Sequence, residues 1–253
     1  MTIFESLIKI KQEKGAGYLV LLDPDKWEKS EMIEMARMAE ESGVDAILMG
    51  GSLLLSASLD EIIQAIKAKI HIPVIIFPGS LVQISKFADA IFFLSLISGR
   101  NSNYLIGEQI QAAPLIKAFN IEPISVGYML IESGRITSAE FMSNSRPIPR
   151  DKLDIVKATA LAAQYLGMKM VYLEAGSGAD QSVPDDMIRA VMDYTNLPII
   201  VGGGIRTPEE AHRKAKAGAA FVVTGNILEN KHNSLMMKEF AEAIHYLTPR
   251  REN

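Results

Sequence analysis

The chain has 253 residues, of which 48% are hydrophobic and 22% charged, with a formal net charge of −4. This is the balance of a globular protein with a full-sized core, and it excludes the basic field that would hold nucleic acid. An anionic ligand must then be held by local devices: loop amides, a helix N-terminus, a metal or a few placed cations.

The absence of cysteine removes disulfides and thiolate metal sites and leads to the expectation of a cytoplasmic protein. Residues 1–14 mix charged and apolar side chains, without the apolar stretch of a signal peptide, and predict a short amphipathic helix. The longest apolar runs, such as 90–97, are too short to span a bilayer. Residues 18–22 predict a first strand that ends in Asp23-Pro24-Asp25-Lys26, followed by a helix over about 30–42 stopped by Gly43. Residues 46–49 predict a second strand ending in Gly50-Gly51-Ser52, and Ser58 and Glu61 stand at capping-box spacing to open the next helix. A third strand over 73–77, ending Pro78-Gly79-Ser80, is expected to lead into a short helix. A fourth strand over 90–94 and a polar loop over 98–103 precede a helix reaching about Phe119.

The fifth strand is expected over 123–126, ending at Gly127-Tyr128. The segment 129–149 exceeds the usual connection length, so it is either a lid or carries short elements of its own. A helix over 151–166 stopped by Gly167, a sixth strand over 169–173, a helix over 184–194 and a seventh strand over 198–201 follow. Thr207-Pro208-Glu209-Glu210 reads as a helix start, with a Thr cap, Pro at the first position and Glu at the third. An eighth strand over 220–223 and a helix over about 234–247 complete the chain.

Eight short, nearly continuous apolar runs, each followed by a helical segment, predict a single-domain α/β protein, a (β/α)8 TIM barrel spanning residues 1–253. A doubly wound open sheet is the rival, and it fits less well because glycines and polar residues follow many strands rather than one switch point. In such a barrel, catalytic groups sit at strand C-termini, and the loops after strands seven and eight often bind phosphate. Those loops hold Gly202-Gly203-Gly204 and Gly225-Asn226; a third glycine-rich loop, Tyr172-Leu173-Glu174-Ala175-Gly176-Ser177-Gly178, ends strand six. Together they suggest one phosphate held mainly by main-chain donors. Alternation puts Leu19, Leu21 and Asp23 on one face, and Met170, Tyr172 and Glu174 on another. If these faces are interior, two carboxylates and a phenol project into the mouth.

Asp23 is a candidate Mg²⁺ ligand beside phosphate oxygens, and Ser52 could add a hydroxyl, a turn serine being the plain alternative. Glu174 is the candidate general base or ligand-hydroxyl acceptor, against a structural carboxylate that accepts loop amides. Tyr172 reads as a ligand donor or a packed ring, and Lys26 and Arg206 as phosphate neutralisers or solvated cations. None of the four histidines falls at a strand C-terminus, which argues against a histidine-based zinc barrel and histidine catalysis. Lys169 begins its strand, the wrong end for a Schiff base.

The segments Leu21-Leu22-Asp23-Pro24-Asp25-Lys26, Gly50-Gly51-Ser52, Tyr172 through Gly178, Val201-Gly202-Gly203-Gly204-Ile205-Arg206 and Thr224-Gly225-Asn226, in this order, resemble the geranylgeranylglyceryl phosphate synthase family over nearly the whole chain. The resemblance implies a prenyltransferase that joins sn-glycerol 1-phosphate to geranylgeranyl diphosphate, releases diphosphate and forms an ether lipid bond. It implies Mg²⁺ on Asp23 and Ser52, and glycerol 1-phosphate on Tyr172, Leu173, Glu174, Ala175, Gly176, Ser177, Gly178, Gly203, Gly204, Gly225 and Asn226. Glu174 would then lie beside the attacking hydroxyl and, with Asp23, carry catalysis. The polyprenyl tail needs an apolar groove from the mouth, with Lys26 near the diphosphate and Tyr104 and Tyr128 as walls or a length stop. A bacterial relative of the family uses a longer, heptaprenyl donor. Family members are commonly homo-oligomers, dimers or larger, and the lipid product brings a peripheral membrane contact into view. A phosphosugar isomerase-type barrel and a non-catalytic barrel that binds a phosphorylated ligand are the other readings.

Overall fold

The computed structural model of the chain describes residues 1–51, 59–80, 83–225 and 234–247. Eight parallel strands run in chain order: β1 (Gly17–Leu22), β2 (Ala46–Met49), β3 (Val74–Ile76), β4 (Ala90–Leu96), β5 (Glu122–Leu130), β6 (Met170–Glu174), β7 (Ile199–Gly202) and β8 (Phe221–Thr224). Each pairs with the next, and β8 pairs back with β1 to close the barrel. At that seam Val20 stands opposite Thr224, and the Tyr18 and Thr224 hydroxyls meet at 2.7 Å on the outer face. The expected alternation holds. Leu19, Leu48, Ile75, Phe92, Met170 and Tyr172 fill the interior, while Val20, Ile47, Ile76, Ile91 and Val171 face the helices.

The outer layer contains α2 (Lys29–Glu41), α3 (Leu59–Lys67), α4 (Glu108–Phe119), α6 (Leu153–Tyr165), α7 (Asp185–Met192), α8 (Pro208–Lys216) and α9 (Ser234–Ile244). The α8 start is as its sequence predicts: the Thr207 hydroxyl accepts the Glu210 amide at 3.2 Å, with Pro208 at the first helical position. Ser58 lies outside the described residues, so only the body of α3 is seen.

Two expectations change. The third βα unit does not have the short helix foreseen, since residues 83–89 form turns. Gly127-Tyr128 is not a loop; β5 runs on to Leu130 with Tyr128 in register with Tyr172. The glycine there answers a packing demand: a Cβ on Gly127 would lie 2.7 Å from Ile97 and 3.1 Å from the Ala163 methyl of α6. Before α4, residues Asn103–Gly107 form one π-helical turn. The long segment after β5 carries its own elements, as one of its two readings required: an Ile131–Ile148 bridge and the short α5 (Ser138–Ser143), capped by the Thr137 hydroxyl.

The opposite end of the barrel is closed by α1 (Ile3–Lys14), whose Leu7 is buried in the interior cluster. Its first amides, those of Ile3 and Phe4, donate to the Glu122 carboxylate at 2.5 and 3.2 Å, an acid placed where the helix dipole favours it. Lys169 lies at this end, over the Phe4 ring at 5.0 Å, away from the mouth as expected. Here Asp45, buried, accepts from Lys14 Nζ at 2.5 Å, the Tyr18 amide at 2.8 Å and His245 Nε2 at 2.8 Å. Burial alone would push its carboxyl up, but His245 and Lys14 outweigh burial and hold it below the ordinary 3.8. The stability this contributes is therefore present above pH ~4 and lost as pH falls through the native-state value. Asp45→Asn should cost about 3 kcal/mol at pH 7, since it leaves Lys14 and His245 without their buried counter-charge. Urea unfolding of the two proteins at pH 7 and pH 3 checks this, and the difference between them should shrink at pH 3.

Candidate active site

The mouth is built from strand C-termini, and its glycines are set by contact as much as by conformation. Gly203 and Gly204 have φ of 84° and 70°, and Gly176 and Gly178 of 100° and 71°, the region that favours glycine. A Cβ on Gly203 would lie 2.4 Å from the Gly176 amide nitrogen and 2.5 Å from Glu174 Oε1. A Cβ on Gly202 would lie 2.2 Å from the Tyr172 hydroxyl. The β7 glycines thus let the β6 loop and its two side chains sit against bare backbone. Gly225 lies beside Leu21, where a Cβ would find ordinary contact at 3.4 Å. Arg206 is exposed, and its guanidinium donates to the Ala179 and Asp180 carbonyls at 2.7 and 3.0 Å, tying the β7 loop to the β6 loop.

Glu174 ends β6 with its side chain inward and is 6% exposed. Its Oε1 accepts the Gly176 amide at 2.6 Å, so one loop amide serves this carboxylate. Tyr172 and Tyr128 line the same cavity as Glu174. Burial lifts the Glu174 carboxyl from 4.5 to about 7, against the pull of the Gly176 amide and the two phenols. Both phenols are pushed well above their ordinary 10, chiefly by burial and then by the Glu174 charge, so they remain donors. Phe77, just past β3, stacks on Tyr172 at 5.3 Å between centroids and meets Tyr128 edge-on at 5.9 Å.

Asp23 follows β1 and is half-buried at the same mouth. Its Oδ1 accepts the Asp25 amide at 3.1 Å, and a Cβ on Gly51 would lie 2.8 Å from that oxygen. Gly51 is held in turn by Gln83, fully buried, whose Oε1 accepts the Gly51 and Gly79 amides at 3.2 Å each and whose Nε2 donates to the Gly51 carbonyl at 2.8 Å. Among the described residues no three His, Asp or Glu side chains gather as a metal cage. A single carboxylate at the cavity is instead a donor set of the kind that suits Mg²⁺, which takes one or two carboxylates and completes its shell with water or with oxygens of a bound phosphate. Ser52 and Asn226 lie outside the described residues.

A cavity of about 1090 Å³ joins these groups, above the range of roughly 300–1,000 Å³ common for small-molecule sites. Asp23, Lys26, Tyr172, Glu174, Gly176, Ser177, Gly178, Gly203, Gly204 and Gly225 all line it. Leu173 and Ala175, included in the expected phosphate set, are buried in the layer between barrel and helices, and they shape the loop through their backbone. The cavity continues along the outward face of β4, past Ile91 and Phe93, to Ala112 and Ile116 of α4 and to Ile84. That slot lies where residues 83–89 form turns in place of a helix. Tyr104 and Tyr128 both line the cavity; the Tyr104 hydroxyl donates to the Met142 carbonyl of α5 at 3.2 Å. Sequence reasoning missed Phe77, Gln83 and Trp27 here. Inward parity with Ile75 could have found Phe77, whereas no local signal marks Gln83.

Fold and site together define a (β/α)8 barrel whose mouth combines a buried carboxylate, glycine-rich loops and an apolar limb. The chain belongs to the PcrB family, whose family model matches residues 8–244. It is 44% identical over 247 residues to the geranylgeranylglyceryl phosphate synthase of Chitinophaga pinensis, covering 98% of this chain and 97% of that one. It is 46% identical over 241 residues to the enzyme of the same name from Thermococcus kodakarensis, covering 95% of each chain. The crystal structure of (S)-3-O-geranylgeranylglyceryl phosphate synthase from Thermoplasma acidophilum, in complex with sn-glycerol-1-phosphate, superposes with a TM-score of 0.92 at 40% identity, covering 97% of this chain and 99% of that one. Among the described residues no helix is long and apolar enough to cross a membrane.

Proposed function

We propose that this protein is a prenyltransferase that alkylates sn-glycerol 1-phosphate with geranylgeranyl diphosphate, giving geranylgeranylglyceryl phosphate and diphosphate. The observation that carries this is the single cavity in which Glu174 and the glycine loops open directly into an apolar limb. A phosphosugar isomerase would use the loops and the base but has no use for the limb.

In the mechanism, the loops after β6, β7 and β8 hold the phosphate. Glu174 accepts the proton of the glycerol hydroxyl as that oxygen forms its bond to the prenyl C1, while the bond from C1 to the diphosphate oxygen breaks and diphosphate leaves. A base poised at about 7 is well matched to neutral pH. Asp23 would hold Mg²⁺, with Lys26 beside the departing diphosphate. When bound, the ion supplies charge stabilisation to the leaving group. Ile91, Phe93, Ala112 and Ile116 take the chain away from water. The apolar side chains left exposed at Ile106, Ile110 and Phe141 support a homo-oligomer.

The test is a product assay with labelled glycerol 1-phosphate, Mg²⁺ and prenyl diphosphates from C10 to C35. An organic-extractable ether with its maximum at C20 is the expected result. A maximum at C35 would keep the reaction and replace the donor by heptaprenyl diphosphate, and no product with any donor would overturn the proposal.

A further inference from the structure

We propose that Thr137 is a positioning residue for the transfer reaction, its methyl group pressing Gly176 of the β6 loop into place so that the Gly176 amide stays on the Glu174 carboxylate. This rests on the prenyltransferase reading above. Between β5 and α6 the chain folds back over the β6 loop. In the stretch 131–138 only Ile131, Ser133 and Thr137 are buried, and each meets β6 or its loop. The Ile131 amide donates to the Glu174 carbonyl at 2.8 Å, and the Ser133 carbonyl accepts the Gln181 amide at 3.2 Å. Thr137 makes the third contact: a Cβ on Gly176 would lie 2.3 Å from its Cγ2 and 2.7 Å from its Cβ. The Thr137 methyl therefore stands where a side chain on Gly176 would be.

Gly176 is also held from β7. A Cβ on Gly203 would lie 2.4 Å from the Gly176 nitrogen and 2.8 Å from its carbonyl oxygen, so the two backbones touch. With Thr137 and Gly203 against it, Gly176 keeps a φ of 100° and aims its amide at Glu174 Oε1, 2.6 Å away. Thr137 is itself fixed. Its hydroxyl accepts the Glu140 amide at 3.3 Å to start α5, and at the other end of α5 the Ser143 carbonyl accepts from Asn101 Nδ2 at 3.1 Å. A donated hydrogen bond stabilises the ionised carboxylate, so this packing favours the form of Glu174 that can take a proton. The other ionisable groups at the cavity, Asp23, Lys26, Glu108, Tyr128, Tyr172 and Arg206, come from the ends of β1 and β7 and from α4, β5 and β6. On the segment of Thr137 itself, Arg135 donates to the Gly178 carbonyl at 3.4 Å, and Glu140 lies one turn into α5. A substitution at position 137 leaves all of these in the chain, and it neither adds nor removes a charge.

The experiment compares wild type with two variants that divide the side chain. Thr137→Ser removes the methyl and keeps the hydroxyl that starts α5, whereas Thr137→Val keeps the bulk and removes the hydroxyl. The first readout is the Gly176 amide proton in NMR of the free protein across pH. Labelling alanine carbonyls and glycine nitrogens selects the three Ala-Gly steps, Ala16-Gly17, Ala175-Gly176 and Ala217-Gly218, and the one whose titration disappears in Glu174→Gln is Gly176. The second readout is the pH profile of kcat/KM. Thr137→Ser should move the titration midpoint up by about half a pH unit, part of what losing a hydrogen bond to a charged group would give. The acid limb of kcat/KM should move with it, and Thr137→Val should leave both at the wild-type position. Substrate phosphate titrates at about pH 6, but identically for all three proteins, so a displacement belongs to the enzyme. An unchanged midpoint in Thr137→Ser would overturn the inference, as would an equal shift in Thr137→Val or a fall in kcat/KM with no displacement of the limb. Absence of turnover in wild type would overturn the prenyltransferase reading instead, while the amide titration, which needs no substrate, would still decide the role of Thr137.

Discussion

Glu174→Gln should lower kcat by about 10²- to 10⁴-fold, the usual contribution of a general base, while glycerol 1-phosphate still binds and the protein stays folded. Glutamine keeps the shape of the side chain and can still accept the Gly176 amide, but it does not take the hydroxyl proton. The same change carries an opposite prediction for stability. The native Glu174 carboxyl is lifted from 4.5 to about 7 by burial. The folded state therefore binds the proton more tightly than the unfolded chain, and the stability gained this way is present below pH 4.5 and lost as pH rises through about 7. At pH 8 the wild-type protein holds a buried charge at a cost on the order of 3 kcal/mol. Glu174→Gln removes that cost. Its denaturation midpoint should exceed that of wild type at pH 8, and the two should approach each other at pH 4. A variant that turns over near the wild-type rate would remove Glu174 as base. A variant that is inactive because it is unfolded at pH 8 would contradict the burial argument.

The barrel was legible because strands covered on both faces leave a two-residue period in which only size and charge vary. Asp23 and Glu174 stand out as carboxylates at inward positions where their strands end, and the structure places both in one cavity. What was not legible depends on neighbours far apart in the chain. Gly127 reads locally as a strand end, yet its missing Cβ makes room for Ile97 and Ala163, so the strand continues and Tyr128 becomes an interior residue. Gly202 reads as phosphate-loop glycine, yet the Tyr172 hydroxyl occupies the space its Cβ would take. The third βα unit carries a helix-like expectation from chain order alone, and only the assembled barrel shows that this side is turns beside an apolar slot. Gln83 had no pattern to announce it, because its role is to satisfy Gly51 and Gly79, 32 and 4 positions away.

Asp23→Asn should reduce kcat/KM by about 10²- to 10³-fold, on the scale of losing one source of charge stabilisation in the transition state. It should also raise the Mg²⁺ concentration needed for half-maximal rate. The geometry makes the change nearly isosteric: the Asp25 amide can still donate to the remaining carbonyl oxygen, and Gly51 still leaves room where a Cβ would come within 2.8 Å. Loss of fold is therefore not the expected cause of any defect. Glycerol 1-phosphate is expected to bind at the other side of the mouth, against the β6, β7 and β8 loops, so its affinity measured by calorimetry without Mg²⁺ should be close to that of wild type. Glu174→Gln and Asp23→Asn thus separate the two halves of the reaction. The first removes the group that takes the proton and leaves the Mg²⁺ dependence in place, whereas the second alters the Mg²⁺ dependence and leaves the acid limb of the pH profile near pH 7. If Asp23→Asn keeps the wild-type Mg²⁺ dependence, the ion is held elsewhere. If it shifts the acid limb and not the ion dependence, Asp23 acts through the charge it presents to Glu174 across the cavity.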